Sequence, residues 1–175
     1  MSGELLSPPA PGFFGKIPST GDFVSRGLPD VFRQRWDAWV TRHLAPILRD
    51  VRQWPEDGLR FRLASGGRVV AGVVLAGADS AGRAFPLSLL LIGDNLGTPD
   101  KLDKWCDAAL ASARSVLEDG GDAERLWAAL GAIDPPGQGG REEEAMLVWT
   151  KEVAPEACAP DDPGPLLDRL IGHRP

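Results

Sequence analysis

Three apolar runs, Leu59 to Ala64, Val69 to Ala76 and Phe85 to Ile92, follow one another with only short connections between them, and they constrain the fold more than any other part of this chain. Each is rich in valine, leucine or phenylalanine and too short for a helix of ordinary length, so each reads as a strand. Parallel neighbours need a crossover of about a dozen residues or more. Neither Ser65-Gly66-Gly67-Arg68 nor the stretch from Gly77 to Arg83 supplies one. The three strands therefore predict an antiparallel meander, and a purely alternating, doubly wound parallel sheet is excluded.

Helical patterns flank the meander. Pro29 opens one in which Phe32, Trp36, Trp39, Val40, His43 and Ile47 share a stripe, while Arg33, Arg35, Arg42, Arg49 and Arg52 outnumber Asp30, Asp37 and Asp50 elsewhere on it. Pro46 cannot donate its backbone hydrogen bond and clashes with the carbonyl of Arg42, so a kink or break is predicted near residues 42–46. Downstream, Thr98-Pro99-Asp100 starts a helix burying Leu102, Trp105, Cys106, Ala109, Leu110 and Ala113, and a second helix spans about Ala123 to Leu130. Pro135 to Gly140 reads as a loop, Glu142 to Glu144 as an acidic stretch facing water, Ala145 to Thr150 as a strand, and Pro165 to Ile171 as a short closing helix. With helices before and after the meander, the predicted architecture is an α/β sandwich. It is a single domain with a mixed, mainly antiparallel sheet of about five strands covered by helices on both faces.

Length and composition agree with one domain: 175 residues, 43% of them hydrophobic, can bury one ordinary core. Residues 1–11 hold three prolines without periodicity and are expected to form a flexible leader, with the domain over 12–172. No run approaches the length of a membrane span, and the first residues lack the order of a signal peptide, so a cytoplasmic protein without direct membrane insertion is expected. The net charge of −6 hides an asymmetry: residues 1–93 carry eleven Lys/Arg against eight Asp/Glu, and residues 94–175 carry eight against seventeen. Such a chain lacks the concentrated basic face that nucleic acid requires.

The most specific segment is Gly12-Phe13-Phe14-Gly15-Lys16-Ile17-Pro18-Ser19-Thr20-Gly21-Asp22-Phe23. Its apolar start reads as a strand that stops at Pro18 in a Ser-Thr-Gly-Asp turn, which puts the polar residues at a strand end. It is not a phosphate loop. Two residues rather than four separate Gly12 from Gly15, Lys16 precedes Ile17 rather than a hydroxyl, and Pro18 and Gly21 oppose an immediate helix.

No complete catalytic constellation is visible, so no enzyme is expected, and no cofactor or metal. A hydrolase triad needs a base, yet the two histidines are His43, on the aromatic stripe of the first helix, and His173, near the end. Cys106 and Cys158 have no metal-ligand spacing, and Cys106 reads as a reduced core thiol. Glu142 to Glu144 and Asp161-Asp162 are weak candidates for an oxygen-bound cation and normal for a solvated surface. One polar group stands out. Asp79, Ser80, Gly82 and Arg83 lie between two strands and can face Lys16, Ser19, Thr20 and Asp22 if the first strand joins the same sheet end. Two readings stay open: Lys16 and Arg83 form a site for an anion or a partner, or Asp22 or Asp79 pairs with them internally and pins two loops.

These blocks together, Gly12 to Phe23, Arg26-Gly27-Leu28-Pro29, Trp36-Asp37-Ala38-Trp39 and Asp79-x-x-Gly82-Arg83-x-Phe85-Pro86-Leu87, resemble the TagF (ImpM) family of bacterial type VI secretion accessory proteins. The likeness runs from about Gly12 to Ile171. It departs at Val148-Trp149, where a tryptophan pair is usual, and at Gly77, where serine commonly stands two places before the aspartate. The resemblance implies a cytoplasmic, post-translational regulator that represses assembly or activity of the secretion machine. Its partner would be the forkhead-associated scaffold protein of that system. The candidate interface or pocket is then Lys16, Ser19, Thr20, Asp22, Phe23, Asp79 and Arg83. A small-anion sensor or enzyme using Lys16, Asp22, Asp79 and Arg83 is the alternative.

Overall fold

A computed structural model describes residues 8–48, 51–65, 67–137 and 146–171. Its frame is an open seven-stranded sheet in the order β2-β1-β5-β4-β3-β6-β7. The strands are β1 (Ala10–Gly15), β2 (Val24–Arg26), β3 (Leu59–Ser65), β4 (Arg68–Ala78), β5 (Ala84–Gly93), β6 (Met146–Trp149) and β7 (Glu156–Cys158). The helices are α1 (Asp30–His43), α2 (Pro99–Glu118), α3 (Ala123–Gly131) and α4 (Gly164–Ile171).

The meander forms as β3-β4-β5, with Leu59 opposite Val74 and Val70 opposite Ile92. Two expectations are corrected. The sheet has seven strands rather than about five, because the three-residue strands β2 and β7 cap its edges. So few residues carry no alternation to recognise, and they are strands only because β1 and β6 offer free backbone edges. Nor is the sheet mixed: every strand pairing among the described residues is antiparallel. The expected acidic stretch Glu142 to Glu144, most of the loop before it, His173 and residues 1–7 lie outside the described residues.

Alternation along the strands divides the core in two. Phe13, Val69, Ala71, Val73, Leu87, Leu89 and Leu91 gather with Leu102, Trp105, Cys106 and Ala109 of α2 and Leu126 and Leu130 of α3. The intervening residues, Phe14, Phe61, Val70, Val74, Leu90 and Ile92, gather with Trp36 and Val40 of α1 and Leu166, Leu167 and Ile171 of α4. Adjacent residues of a strand point to opposite faces, so a strand that is apolar throughout demands cover on both.

α1 stops where Pro46 predicts. The last helical turn closes with the Leu44 and Ala45 N–H groups both donating to Val40 O at 2.9 Å, and the next residues turn under the sheet to bury Leu44 and Leu48. Asp30 in the first turn and Arg42 in the last suit the helix dipole. Inside the helix, Trp36 lies 4.6 Å from the Phe61 ring, and its indole N–H donates to the buried Ser88 hydroxyl at 2.9 Å.

Candidate functional site

The antiparallel pairing of β1 with β5 brings the end of β1 to the end of the sheet where β4 turns into β5. The loop from Lys16 to Phe23 and the turn from Asp79 to Arg83 therefore meet. Two bonds join them: Ser80 N–H donates to Thr20 O at 2.7 Å, and the Arg83 guanidinium donates to Gly21 O at 2.9 Å. Gly77 permits this approach, since a Cβ there would lie 2.7 Å from both Lys16 O and Phe85 O. Any side chain at that position would push the two loops apart. Gly82 closes the turn at φ 78°, a conformation that a side chain disfavours.

Asp79 is the centre of the cluster, and its side chain is fully buried. One carboxylate oxygen accepts the N–H groups of Ala81 (3.0 Å) and Arg83 (2.9 Å). The other accepts the Arg83 guanidinium at 2.7 Å and has Lys16 Nζ 3.5 Å away. Burial pushes the carboxyl pKa up, but the hydrogen bonds from the Arg83 backbone and guanidinium and from Ala81 outweigh it and hold the group below the ordinary carboxylate range. Of the two readings of this cluster, internal pairing is present: one carboxylate binds both cations. With the Asp22 carboxylate on the same loop, the mouth carries two charges of each sign.

Phe23 covers the cluster. Its ring stacks on Phe14 (centroids 5.8 Å apart, planes 1° apart), meets Phe85 edge-on at 4.8 Å, and lies 4.9 Å from Lys16 Nζ. Despite these contacts Phe23 remains 46% exposed. Asp22 does not join the ion pairs; its carboxylate accepts the N–H of Phe23 at 2.8 Å. The Thr20 hydroxyl donates to Asp22 O at 3.1 Å, and the Ser19 hydroxyl donates to Gly121 O, tying the loop to the turn before α3 at 2.9 Å. The structure thus assembles Lys16, Phe23, Asp79 and Arg83, uses Thr20 and Asp22 to shape the loop, and turns Ser19 away.

The pH response of this cluster has a defined sign. With its pKa lower folded than unfolded, Asp79 binds its proton more weakly in the native state, so its contribution is fully present above the unfolded value of about 3.9. It is lost as pH falls through the lower native value. Urea unfolding of the parent and Asp79→Asn chains is expected to show a stability gap at pH 7 that narrows steadily below about pH 4. A gap independent of pH would show that the charge on Asp79 does not carry its effect.

His43 sits on α1 beside Trp39, 5.3 Å between rings, and burial with help from Arg42 lowers its pKa against the opposing pull of Asp162. It is neutral near pH 7 and packed. Burial pushes the Cys106 thiol up to about 12, although Arg60 pulls the other way, so it is an inert core group. Among the described residues, no group of three or more His, Cys, Asp or Glu could hold a metal ion, and no helix is long and apolar enough to cross a membrane.

A second polar centre was not anticipated from the sequence. Arg60 of β3, its side chain fully buried, reaches Asp103 at 2.7 Å and Asp107 at 2.6 Å on α2, and Asp103 also accepts the Trp149 indole N–H at 2.9 Å. The available signal was Asp103 and Asp107 at i, i+4 spacing, facing an arginine placed within an apolar strand.

A family model described as the TagF N-terminal domain, type VI secretion system-associated, matches residues 12–133, which contain both loops of the cluster. The solved structure of PA0076 from Pseudomonas aeruginosa PAO1 is similar to this chain at a TM-score of 0.57 and 28% identity, over 81% of this chain and 70% of that one. No curated protein matches the chain. With more than half of its length matched by that model, the chain belongs to the TagF family of type VI secretion system-associated proteins.

Proposed function

We propose that this protein is a cytoplasmic, post-translational repressor of type VI secretion that acts as a binding module rather than an enzyme. Its partner is the forkhead-associated scaffold of the secretion system, and the docking surface is built on Phe23, Lys16 and Arg83. The observation that carries this reading is the state of Phe23. A nearly half-exposed aromatic ring, held by two other rings and a lysine, presents apolar area at little entropic cost and sits beside an exposed arginine. Aromatic and arginine anchors of this kind carry most of the energy of protein interfaces. Asp79 supports them from beneath by fixing both cations.

Capture of the purified scaffold by the full chain tests the reading. Phe23→Ala and Arg83→Gln are each expected to weaken capture tenfold or more, the scale of about 1.4 kcal/mol or greater typical of an anchor residue, while the circular dichroism spectrum stays unchanged. Undiminished capture by both variants would remove this surface from the interface. The exposed Arg83 guanidinium, with Lys16 on the same carboxylate, favours a second reading, a sensor or enzyme for a small anion. A rise in melting temperature with millimolar inorganic phosphate, abolished by Arg83→Gln, would support that instead.

A further inference from the structure

An apolar cleft lies along α1, and none of its lining residues belongs to the Asp79 cluster. Phe32, Trp36 and Trp39 form a continuous ladder of rings, with successive centroids 5.9 and 5.2 Å apart. Together with Leu63 and Met146 they enclose a cleft of about 160 Å³. The walls are fixed in place. The Trp36 indole N–H is held by Ser88 Oγ at 2.9 Å, and that of Trp39 by Pro160 O at 2.6 Å, so both rings have satisfied their only polar group and offer carbon alone to a ligand.

Volume and chemistry then narrow the occupant. Binding sites for small molecules and cofactors run from about 300 to 1,000 Å³, so this cleft is too small for one and has room for a single leucine- or methionine-sized side chain. The side-chain polar groups in its lining are the Arg35 guanidinium and the Ser65 hydroxyl, and neither makes a side-chain hydrogen bond or ion pair among the described residues. Arg35 is exposed, unlike the buried arginine that Asp103 and Asp107 neutralise. A guanidinium and a hydroxyl beside an apolar hole suit a carboxylate next to an apolar side chain, because each can donate to its oxygens. We propose that this cleft docks an acidic segment of a partner protein, which inserts one leucine-like side chain between Trp36, Trp39 and Leu63 and places an adjoining carboxylate on Arg35.

Two tripeptides, acetyl-Glu-Leu-Glu-amide and acetyl-Lys-Leu-Lys-amide, serve as probes against the full chain with nitrogen-labelled tryptophans, read by the indole N–H resonances in NMR. The acidic peptide is expected to move the Trp36 and Trp39 signals saturably in the millimolar range, and the basic peptide to leave them in place. Arg35→Glu should weaken the acidic peptide about fivefold, the scale of one exposed ion pair, and Arg35→Gln should fall between parent and reversal. Because Arg35 is exposed, neither change should alter the fold, which the spectra report directly. Phe23→Ala should leave the titration unaltered, so failure of the scaffold surface and failure of this cleft give different results. The absence of a saturable shift, an equal response to both peptides, or the same affinity in the Arg35→Glu chain would overturn the proposal.

Discussion

Replacing Trp36 with alanine is expected to lower the unfolding free energy by about 3–5 kcal/mol, the range for truncating a buried tryptophan. The side chain is 3% exposed and fills the space between α1 and the sheet, against Phe32, Trp39 and Phe61. Its removal costs the transfer energy of the ring and leaves a cavity that the neighbouring rings cannot close without abandoning their own contacts. It also strands the hydroxyl of Ser88, which is fully buried in β5. The conservative Trp36→Phe change keeps most of the volume and loses the N–H, so about 1–3 kcal/mol is expected there, the cost of an unsatisfied buried polar group. Urea unfolding followed by circular dichroism measures both. A loss below about 1 kcal/mol for alanine, the typical net value of one hydrogen bond, would mean that α1 is held to the sheet by other residues.

Arg60→Ala is the second large effect, at about 3 kcal/mol, the lower end of the range for breaking a buried pair. The lower end applies because the damage is uneven. Arg60 is fully buried, but the side chains of Asp103 and Asp107 remain 38% and 46% exposed, so water can replace the guanidinium at both carboxylates. The Trp149 indole continues to donate to Asp103, and Lys151 Nζ stands 3.6 Å from Asp107. What alanine loses is the arginine stem packed under α2 and the donors that reach Asp57 O at 3.2–3.4 Å. Arg60→Met restores the stem without the charge, and buried ion pairs often exchange for apolar groups at little cost. It is therefore expected to recover more than half of the loss in the same unfolding experiment. If methionine is as damaging as alanine, the ion pairs rather than the packing hold this junction.

Much of this architecture can be read from local pattern. Val69 to Ala76 and Phe85 to Ile92 are apolar on both faces over short spans, which demands buried strands, and the short turns between the runs demand antiparallel neighbours. α2 was legible because Leu102, Trp105, Cys106, Ala109, Leu110 and Ala113 repeat with the period of a helix, and all six are buried. The end of α1 followed from Pro46. β2 and β7 were not legible, since three residues cannot show a period, and what makes Val24–Arg26 a strand is the edge of β1 beside it.

The candidate site divides in the same way. Lys16, Asp79 and Arg83 stood out as charged residues at strand ends, and their meeting depended only on β1 joining the end of the sheet where β4 turns into β5. Which carboxylate would bind the cations was a matter of tertiary placement. Asp79 is buried between two loops with four donors around it, while Asp22, far nearer to Lys16 in sequence, turns onto its own loop. The sequence by itself determined the meander, the helices and the residues available at the loop ends, because hydrophobic period, turn chemistry and proline act over a few neighbours. Only the tertiary structure decided the order of the strands, the pairing of Arg60 with α2, the exposure of Phe23 and the cleft along α1. Each depends on contacts between residues far apart in the chain, whose geometry is set by packing and register rather than by local preference.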